Sequence, residues 1–304
     1  MNYKEKYCGV IVPMVTPFTE QFEIDQQGVE NIVGGFIRNK CTPFILGTTG
    51  ESASVSQRKK EDLVRYTVKV VGGRDLVYAG ISGNSFDDTV RSSKLYSDLG
   101  VDVLVAHLPS YYPIDEDQML HYYEKLANAV PLPLMLYNIP VTTHLSIPLK
   151  VVDKLSHHDN IIGFKDSQRG EERLDESLRL WKDRSDFTFH LGWAAMSSYG
   201  LLNGLDGIVP SSGNLVPKLY RGIYDAAKNG DAEEAERLQK ITNEISAYYQ
   251  GGNILSRAFP IFKAMLNAFG LCEPYTALPM ITLTADEIQR IKKEAIEQFG
   301  IYKN

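Results

Sequence analysis

Two short apolar runs end in residues able to do carbonyl chemistry: Tyr137 in Leu134-Met135-Leu136-Tyr137-Asn138-Ile139-Pro140, and Lys165 in Ile161-Ile162-Gly163-Phe164-Lys165-Asp166-Ser167. As successive parallel strands, these runs bring a phenol and an amine to adjacent strand ends, roughly 5 Å apart across the sheet. Desolvation at the end of an apolar strand disfavours the ammonium, and a neutral amine attacks a carbonyl to form a Schiff base. A neighbouring phenol is then placed to shuttle protons. Taken alone, a strand-end lysine usually snorkels to water or pairs with a neighbour such as Asp166. The chemical reading comes from the constellation around it.

The elements that must position this pair recur along the chain. Runs rich in β-formers lie at Val10–Thr16, Pro43–Leu46, Leu76–Gly80, Val101–Ala106, Leu132–Tyr137, Ile161–Lys165, Phe187–Leu191 and Gly207–Pro210. Amphipathic helical stretches fill the gaps, among them Gln57–Val71, Ser85–Leu99, Asp117–Ala129 and Pro148–Leu155. Consecutive apolar positions suit strands covered on both faces. Eight strand-helix units predict an α/β fold, a (β/α)8 barrel over residues 1–229. Further helices at Asp231–Tyr249, Ser256–Phe269 and Ala285–Phe299, the last opened by the capping pattern Thr284-Ala285-Asp286-Glu287, predict a C-terminal helical region over residues 230–304, packed on the barrel.

In a closed barrel the chemistry sits at the carboxyl ends of the strands and in the loops that follow. Alternation puts Gly163 and Lys165 on one face with Met135 and Tyr137, leaving Leu134, Leu136, Ile162 and Phe164 for the helices. After the second run comes Gly47-Thr48-Thr49-Gly50-Glu51-Ser52, whose glycines let the backbone approach a ligand and whose amides and hydroxyls can hold a carboxylate. A plain strand-to-helix turn with hydroxyl caps is the competing reading. Pro109-Ser110-Tyr111-Tyr112-Pro113 after the fourth run reads equally as an aromatic loop packed on a neighbour. His107 and His190, within strands, read as hydrogen-bonded core or rim groups, and His144 lies near the expected mouth. Arg169-Gly170-Glu171-Glu172-Arg173 reads as a solvated helix start.

The 304 residues, 43% hydrophobic and 23% charged, form an ordinary globular composition. A net charge of −6 without long like-charge blocks argues against nucleic acid or an anionic membrane surface as partner and favours a small molecule. Cys8, Cys41 and Cys272 lie far apart with no metal-ligand spacing and read as reduced thiols. With no export-type start and no run of about 18 apolar residues, the expected compartment is the cytoplasm.

Gly47-Thr48-Thr49-Gly50-Glu51, Tyr137-Asn138-Ile139-Pro140 and Gly163-Phe164-Lys165-Asp166, in this order, resemble the N-acetylneuraminate lyase and dihydrodipicolinate synthase family of class I aldolases, and the resemblance extends through Gly207-Ile208-Val209-Pro210-Ser211-Ser212-Gly213-Asn214. It implies a barrel, usually a homotetramer, acting on pyruvate or another 2-oxo acid without metal or organic cofactor. Lys165 would be the Schiff-base nucleophile and Tyr137 the proton shuttle, with Thr48 in the relay. Gly47, Thr48 and Thr49 would hold the pyruvyl carboxylate, and Ser167, Gly192, Trp193, Val209 and Ser211 would line the rest of the substrate. Tyr111 matches a tyrosine that crosses from a neighbouring subunit to complete the relay, so a dimer or tetramer is implied.

Two departures narrow the substrate. Family synthases carry an arginine two residues past the Asn-x-Pro proline, where this chain has Thr142, which argues against dihydrodipicolinate synthesis. Sialic acid lyases carry an Asp-Glu pair near the glycine after the seventh strand, where Gly192 is followed here by Trp193-Ala194-Ala195, apolar side chains that accept no hydroxyl hydrogen bonds. The expected activity is cleavage of a 2-keto-3-deoxy sugar acid or related 4-hydroxy-2-oxo acid to pyruvate and an aldehyde, the aldehyde being either that of a shorter sugar acid or one with an apolar or aromatic part that packs on Trp193. The alternatives are a synthase-type condensation, a keto-deoxy acid dehydratase, and a non-enzymatic barrel that binds 2-oxo acids for regulation.

Overall fold

The computed structural model describes residues 3–302. Residues 1–2 and 303–304, the outer ends of the expected barrel and helical region, lie outside the described residues. The strands are β1 (Gly9–Pro13), β2 (Thr42–Ile45), β3 (Tyr78–Gly80), β4 (Val103–His107), β5 (Leu134–Asn138), β6 (Ile161–Asp166), β7 (Thr188–Leu191) and β8 (Gly207–Ile208). Each pairs in parallel with the next, and β8 returns to β1, closing a barrel. Each of the eight expected runs carries one of these strands.

The helices are α1 (Tyr3–Tyr7), α2 (Gln26–Arg38), α3 (Gln57–Val71), α4 (Phe86–Asp98), α5 (Glu116–Ala129), α6 (Pro140–Thr143), α7 (Leu149–Leu155), α8 (Glu171–Trp181), α9 (Ser197–Leu202), α10 (Pro217–Lys228), α11 (Ala232–Gln250), α12 (Leu255–Ala268) and α13 (Ala285–Phe299). α3 and α13 have the bounds that the periodicity predicts. At α13 the expected capping box forms: the Glu287 amide donates to Thr284 Oγ1 at 3.3 Å, and the Thr284 amide donates to Glu287 Oε2 at 2.8 Å. No helix among the described residues is long and apolar enough to cross a membrane.

Two apolar layers fill the fold. One lines the barrel interior and includes Ile11, Phe44, Tyr78, Val103, Val105, Met135, Tyr137 and Val209. The other lies between strands and helices and includes Leu104, Ala106, Leu134, Leu136 and Phe164. Every residue of β5 and β6 is buried, as expected of strands covered on both faces. Ile162 departs from the expected helix-facing position and belongs to the interior layer. The cause is a register shift: Leu134 pairs with Ile161 but Met135 with Gly163, so Ile162 is an extra residue and the alternation slips by one. Past the bulge the alternation resumes, and Lys165 pairs with Tyr137.

On the outer face of β6, Phe164 stacks on Phe189, with ring centroids 6.1 Å apart, and meets Trp181 edge-on at 5.7 Å. Trp181 is wholly buried, also touches Phe187 and Phe189, and donates from Nε1 to Asp153 at 3.1 Å. This wedge holds from behind the strand that carries Lys165. Trp181→Ala is expected to lower the unfolding free energy by about 3–5 kcal/mol, read from urea denaturation; a loss below about 1 kcal/mol would show that the wedge contributes little.

Candidate active site

The site is built on the paired ends of β5 and β6. Lys165 is 4% exposed, and its Nζ lies 3.5 Å from the centroid of the Tyr137 ring and 5.0 Å from that of Phe44. Burial pulls the lysine below its ordinary 10.5, while the contact with Tyr137 opposes the shift. Thr48 Oγ1 stands 3.2 Å from the Tyr137 hydroxyl, a hydrogen bond in which either oxygen can donate. Amine, phenol and threonine hydroxyl therefore form one contiguous set drawn from three strand ends.

Thr48 and Thr49 lie in a tight loop whose Gly50 and Ser52 amides donate to the Gly47 carbonyl and whose Glu51 amide donates to the Thr48 carbonyl. The amides of Thr48 and Thr49 have no acceptor among the described residues. A Cβ on Gly47 would come within 2.9 Å of the Phe44 ring, and one on Gly50 within 3.0 Å of the Met14 carbonyl oxygen. Only glycine lets the loop lie this close to the strands.

The loop is anchored by a contact the sequence reading missed. Glu51, at φ +56°, turns its carboxylate into the protein, where Oε1 meets Lys263 Nζ of α12 at 2.6 Å and Oε2 accepts from the Ala277 amide at 2.7 Å. Lys263 also donates to the carbonyls of Thr16 and Tyr275, at 2.7 and 2.6 Å, and lies over the Phe18 ring. Both side chains are essentially inaccessible to solvent. A signal for Lys263 exists in the sequence: a lone cation in the otherwise apolar Phe259-Pro260-Ile261-Phe262-Lys263-Ala264-Met265-Leu266.

A second network holds the residues next to the pair. Asn138 donates from Nδ2 to Asp166 Oδ1 at 2.8 Å and to Gln168 at 3.0 Å, and accepts from the Ile147 amide at 3.0 Å. Arg173 Nε donates to Asp166 Oδ2 at 2.6 Å, and its NH2 group donates to the Ile147 carbonyl at 2.9 Å. Burial pushes the Asp166 carboxyl up, and the Arg173 guanidinium is the largest pull in the other direction. Arg173 is thus not part of a solvated helix start: it sits in the first turn of α8 and turns inward to Asp166.

The other expected residues are distributed around the mouth. A Cβ on Gly192 would fall 2.1 Å from Ser167 Oγ, so the glycine gives that hydroxyl room at the ends of β6 and β7. Trp193 follows, half-buried, and Val209 lies in the interior layer. Ser211 Oγ shares a 2.7 Å hydrogen bond with the Tyr249 hydroxyl and accepts from Gln250 Nε2 at 3.3 Å, linking the end of α11 to the barrel. Tyr111 is 75% exposed, edge-on to Tyr112, and does not reach Thr48 or Tyr137 of its own chain. His144 is exposed beyond α6. His190 is buried as expected of a core group, but neither ring nitrogen has a well-formed hydrogen bond among the described residues, and burial pushes it down to about 3.

A buried amine beside a phenol at the carboxyl-end mouth of a parallel barrel defines an enzyme of the class I, pyruvate-dependent aldolase type, a carbon–carbon lyase. The chain belongs to the dihydrodipicolinate synthetase family, whose model matches residues 6–298. It is similar to an uncharacterized DapA-like lyase of Thermofilum pendens, 28% identical over 96% of this chain and 97% of that protein. The solved dihydrodipicolinate synthase of Bacteroides thetaiotaomicron superposes with a TM-score of 0.90 at 32% identity, covering 96% of this chain and 98% of its own. YagE, a prophage protein of E. coli K12 solved in complex with pyruvate, superposes with a TM-score of 0.89 at 25% identity over 96% and 98% of the two chains.

The buried ion pair makes a prediction for stability. Glu51→Ala leaves the Lys263 charge without its counterion, and a loss of about 3–5 kcal/mol is expected in urea denaturation. The double variant Glu51→Leu/Lys263→Met is expected to recover most of that loss; a double variant as unstable as the single one would mean that the cost is not one of unpaired charge.

Proposed function

We propose that the chain is a Schiff-base-forming aldolase that reversibly cleaves a 2-keto-3-deoxy sugar acid, or a related 4-hydroxy-2-oxo acid, into pyruvate and an aldehyde. The observation that carries this reading is the Lys165 amine, removed from water and held 3.5 Å from the Tyr137 ring centroid. In this reading Lys165 attacks the 2-oxo carbon and, with loss of water, forms a protonated imine. Tyr137 takes the proton of the C4 hydroxyl as it passes its own phenol proton to the Thr48 hydroxyl and on through the relay, the C3–C4 bond breaks, and its electron pair flows into the imine to give an enamine and the free aldehyde. Protonation at C3 and hydrolysis then release pyruvate and restore the amine.

A tyrosine phenol, with a reference pKa near 10, exchanges protons at neutral pH only with help. Thr48 supplies it through its hydroxyl, and Tyr111 of a neighbouring subunit would extend the relay in a dimer or homotetramer. The Thr48 and Thr49 amides, without an acceptor among the described residues, suit the pyruvyl carboxylate. Ser167, Gly192, Trp193, Val209 and Ser211 line the aldehyde side. The same reading takes residues 1–229 as the barrel and 230–304 as a helical region packed on it, and places the enzyme in the cytoplasm, where free Cys8, Cys41 and Cys272 stay reduced. The pyruvate bound to the similar YagE supports the 2-oxo acid half. A synthase-type condensation is the second reading, favoured by the likeness to the Bacteroides synthase. Against it stands Thr142, exposed, with its hydroxyl donating to the Ile139 carbonyl at 3.3 Å.

Incubation with pyruvate and borohydride is expected to leave a reduced pyruvyl group on Lys165, located by peptide mass spectrometry, and Lys165→Arg to abolish it. Tyr137→Phe is expected to lower kcat by about 10²–10⁴-fold. A folded protein that traps no pyruvate would overturn the reading. Release of pyruvate and aldehyde in equal amounts separates cleavage from the condensation and dehydration alternatives.

A further inference from the structure

Tyr137 has a second titratable neighbour on the side away from Lys165. His107 ends β4 and pairs in register with Tyr137. Val103 and Val105 belong to the interior layer, while Leu104 and Ala106 face the helices. The alternation therefore turns His107 inward at the mouth. Its ring meets the Tyr137 ring edge-to-face, with centroids 6.1 Å apart and planes inclined by 67°. The backbone holds this position, since the His107 amide donates to Ser82 Oγ at 2.8 Å.

The hydrogen bonds settle what the imidazole offers. Nδ1 lies 2.8 Å from the Leu108 carbonyl oxygen. A carbonyl only accepts, so Nδ1 carries the hydrogen and Nε2 of the neutral ring is an acceptor. Nε2 has no partner among the described residues, yet it is not one of the buried polar atoms left unsatisfied. It is open to whatever occupies the mouth. Burial holds the ring below its ordinary 6.5, and the Lys165 charge acts in the same direction, which keeps the acceptor free at neutral pH. His190 offers a contrast: it lies next to Lys165 in register, but is sealed inside the barrel against Gly207.

We propose that His107 is a specificity-determining residue whose Nε2 accepts a hydrogen bond from the hydroxyl next to the reacting carbon of the aldehyde half, so that the site favours 2-hydroxyaldehydes over their deoxy counterparts. This rests on the aldolase reading above. With Tyr137 engaged at the C4 oxygen, the group flanking it on β4 meets the next hydroxyl of the chain. Trp193 and Ala194 offer no acceptor side chain on the opposite side. The preference for hydroxylated aldehydes thus has a source other than the residues beyond β7.

The test runs the reaction towards condensation, with pyruvate and either glyceraldehyde or propanal, and reads the ratio of the two kcat/KM values. The wild-type enzyme is expected to prefer glyceraldehyde, and His107→Phe to lower the ratio by about 10- to 100-fold, as loss of a buried acceptor for a hydroxyl implies. His107→Gln, which keeps an acceptor, is expected to retain part of the preference and serves if the phenylalanine variant fails to fold. Borohydride trapping of pyruvate on each protein separates the two readings. Trapping with an unchanged ratio in both variants overturns the role of His107 alone, as does an equal loss on both aldehydes. Absence of trapping in the wild-type enzyme overturns the aldolase reading and this one together.

Discussion

The site depends on the desolvation of a single amine. Lys165 lies at the end of an all-buried strand, and two forces act on its nitrogen in opposite directions. Removal from water favours the neutral nucleophile, whereas the face of the Tyr137 ring favours a cation. In the proposed reaction the first suits attack on a carbonyl, and the second suits the iminium that would follow. One position on β6 would therefore serve successive states of opposite charge preference in that reaction.

That position is maintained by buried polar contacts to the residues immediately beside those that the proposed reaction uses. Asn138 and Asp166, the next residues after Tyr137 and Lys165, bond to each other and are tied to Arg173 and Ile147. Glu51, at the end of the threonine loop, is tied to Lys263. Each chemical side chain thus stands on backbone fixed by a satisfied network, where an unsatisfied group would cost more than the network contributes. Through Lys263 and the Tyr249–Ser211 hydrogen bond, the C-terminal helices enter the construction of the site. The helical region is therefore coupled to the loop and to the rim of the barrel.

The features legible in the sequence are those with a local cause. Apolar runs bounded by turn residues marked all eight strands, and the 3.6-residue period with its capping signals marked α3 and α13 to the residue. α2 keeps the helical period but carries Gly28, Gly34 and Gly35, which lower its helix propensity. Ile162 is assigned to the wrong face because a bulge shows only in the pairing with β5, and a one-residue slip reverses the face. Arg173 looks like an ordinary surface residue until the barrel closes and brings Asp166 to it, and Lys263, marked as a lone cation in an apolar run, gains its partner Glu51 only then. His107 is visible as a strand histidine, but its free Nε2 depends on which carbonyl Nδ1 finds.

The central claim is that burial lowers the pKa of the Lys165 amine, so that it gives up its proton more readily than an exposed lysine does. It is tested most directly by a pH titration of the lysine Cε resonances in protein labelled with 13C-lysine, with the Lys165 signal assigned by its loss in Lys165→Arg. The account predicts a midpoint for Lys165 below the ordinary 10.5. A midpoint at or above that value would contradict it.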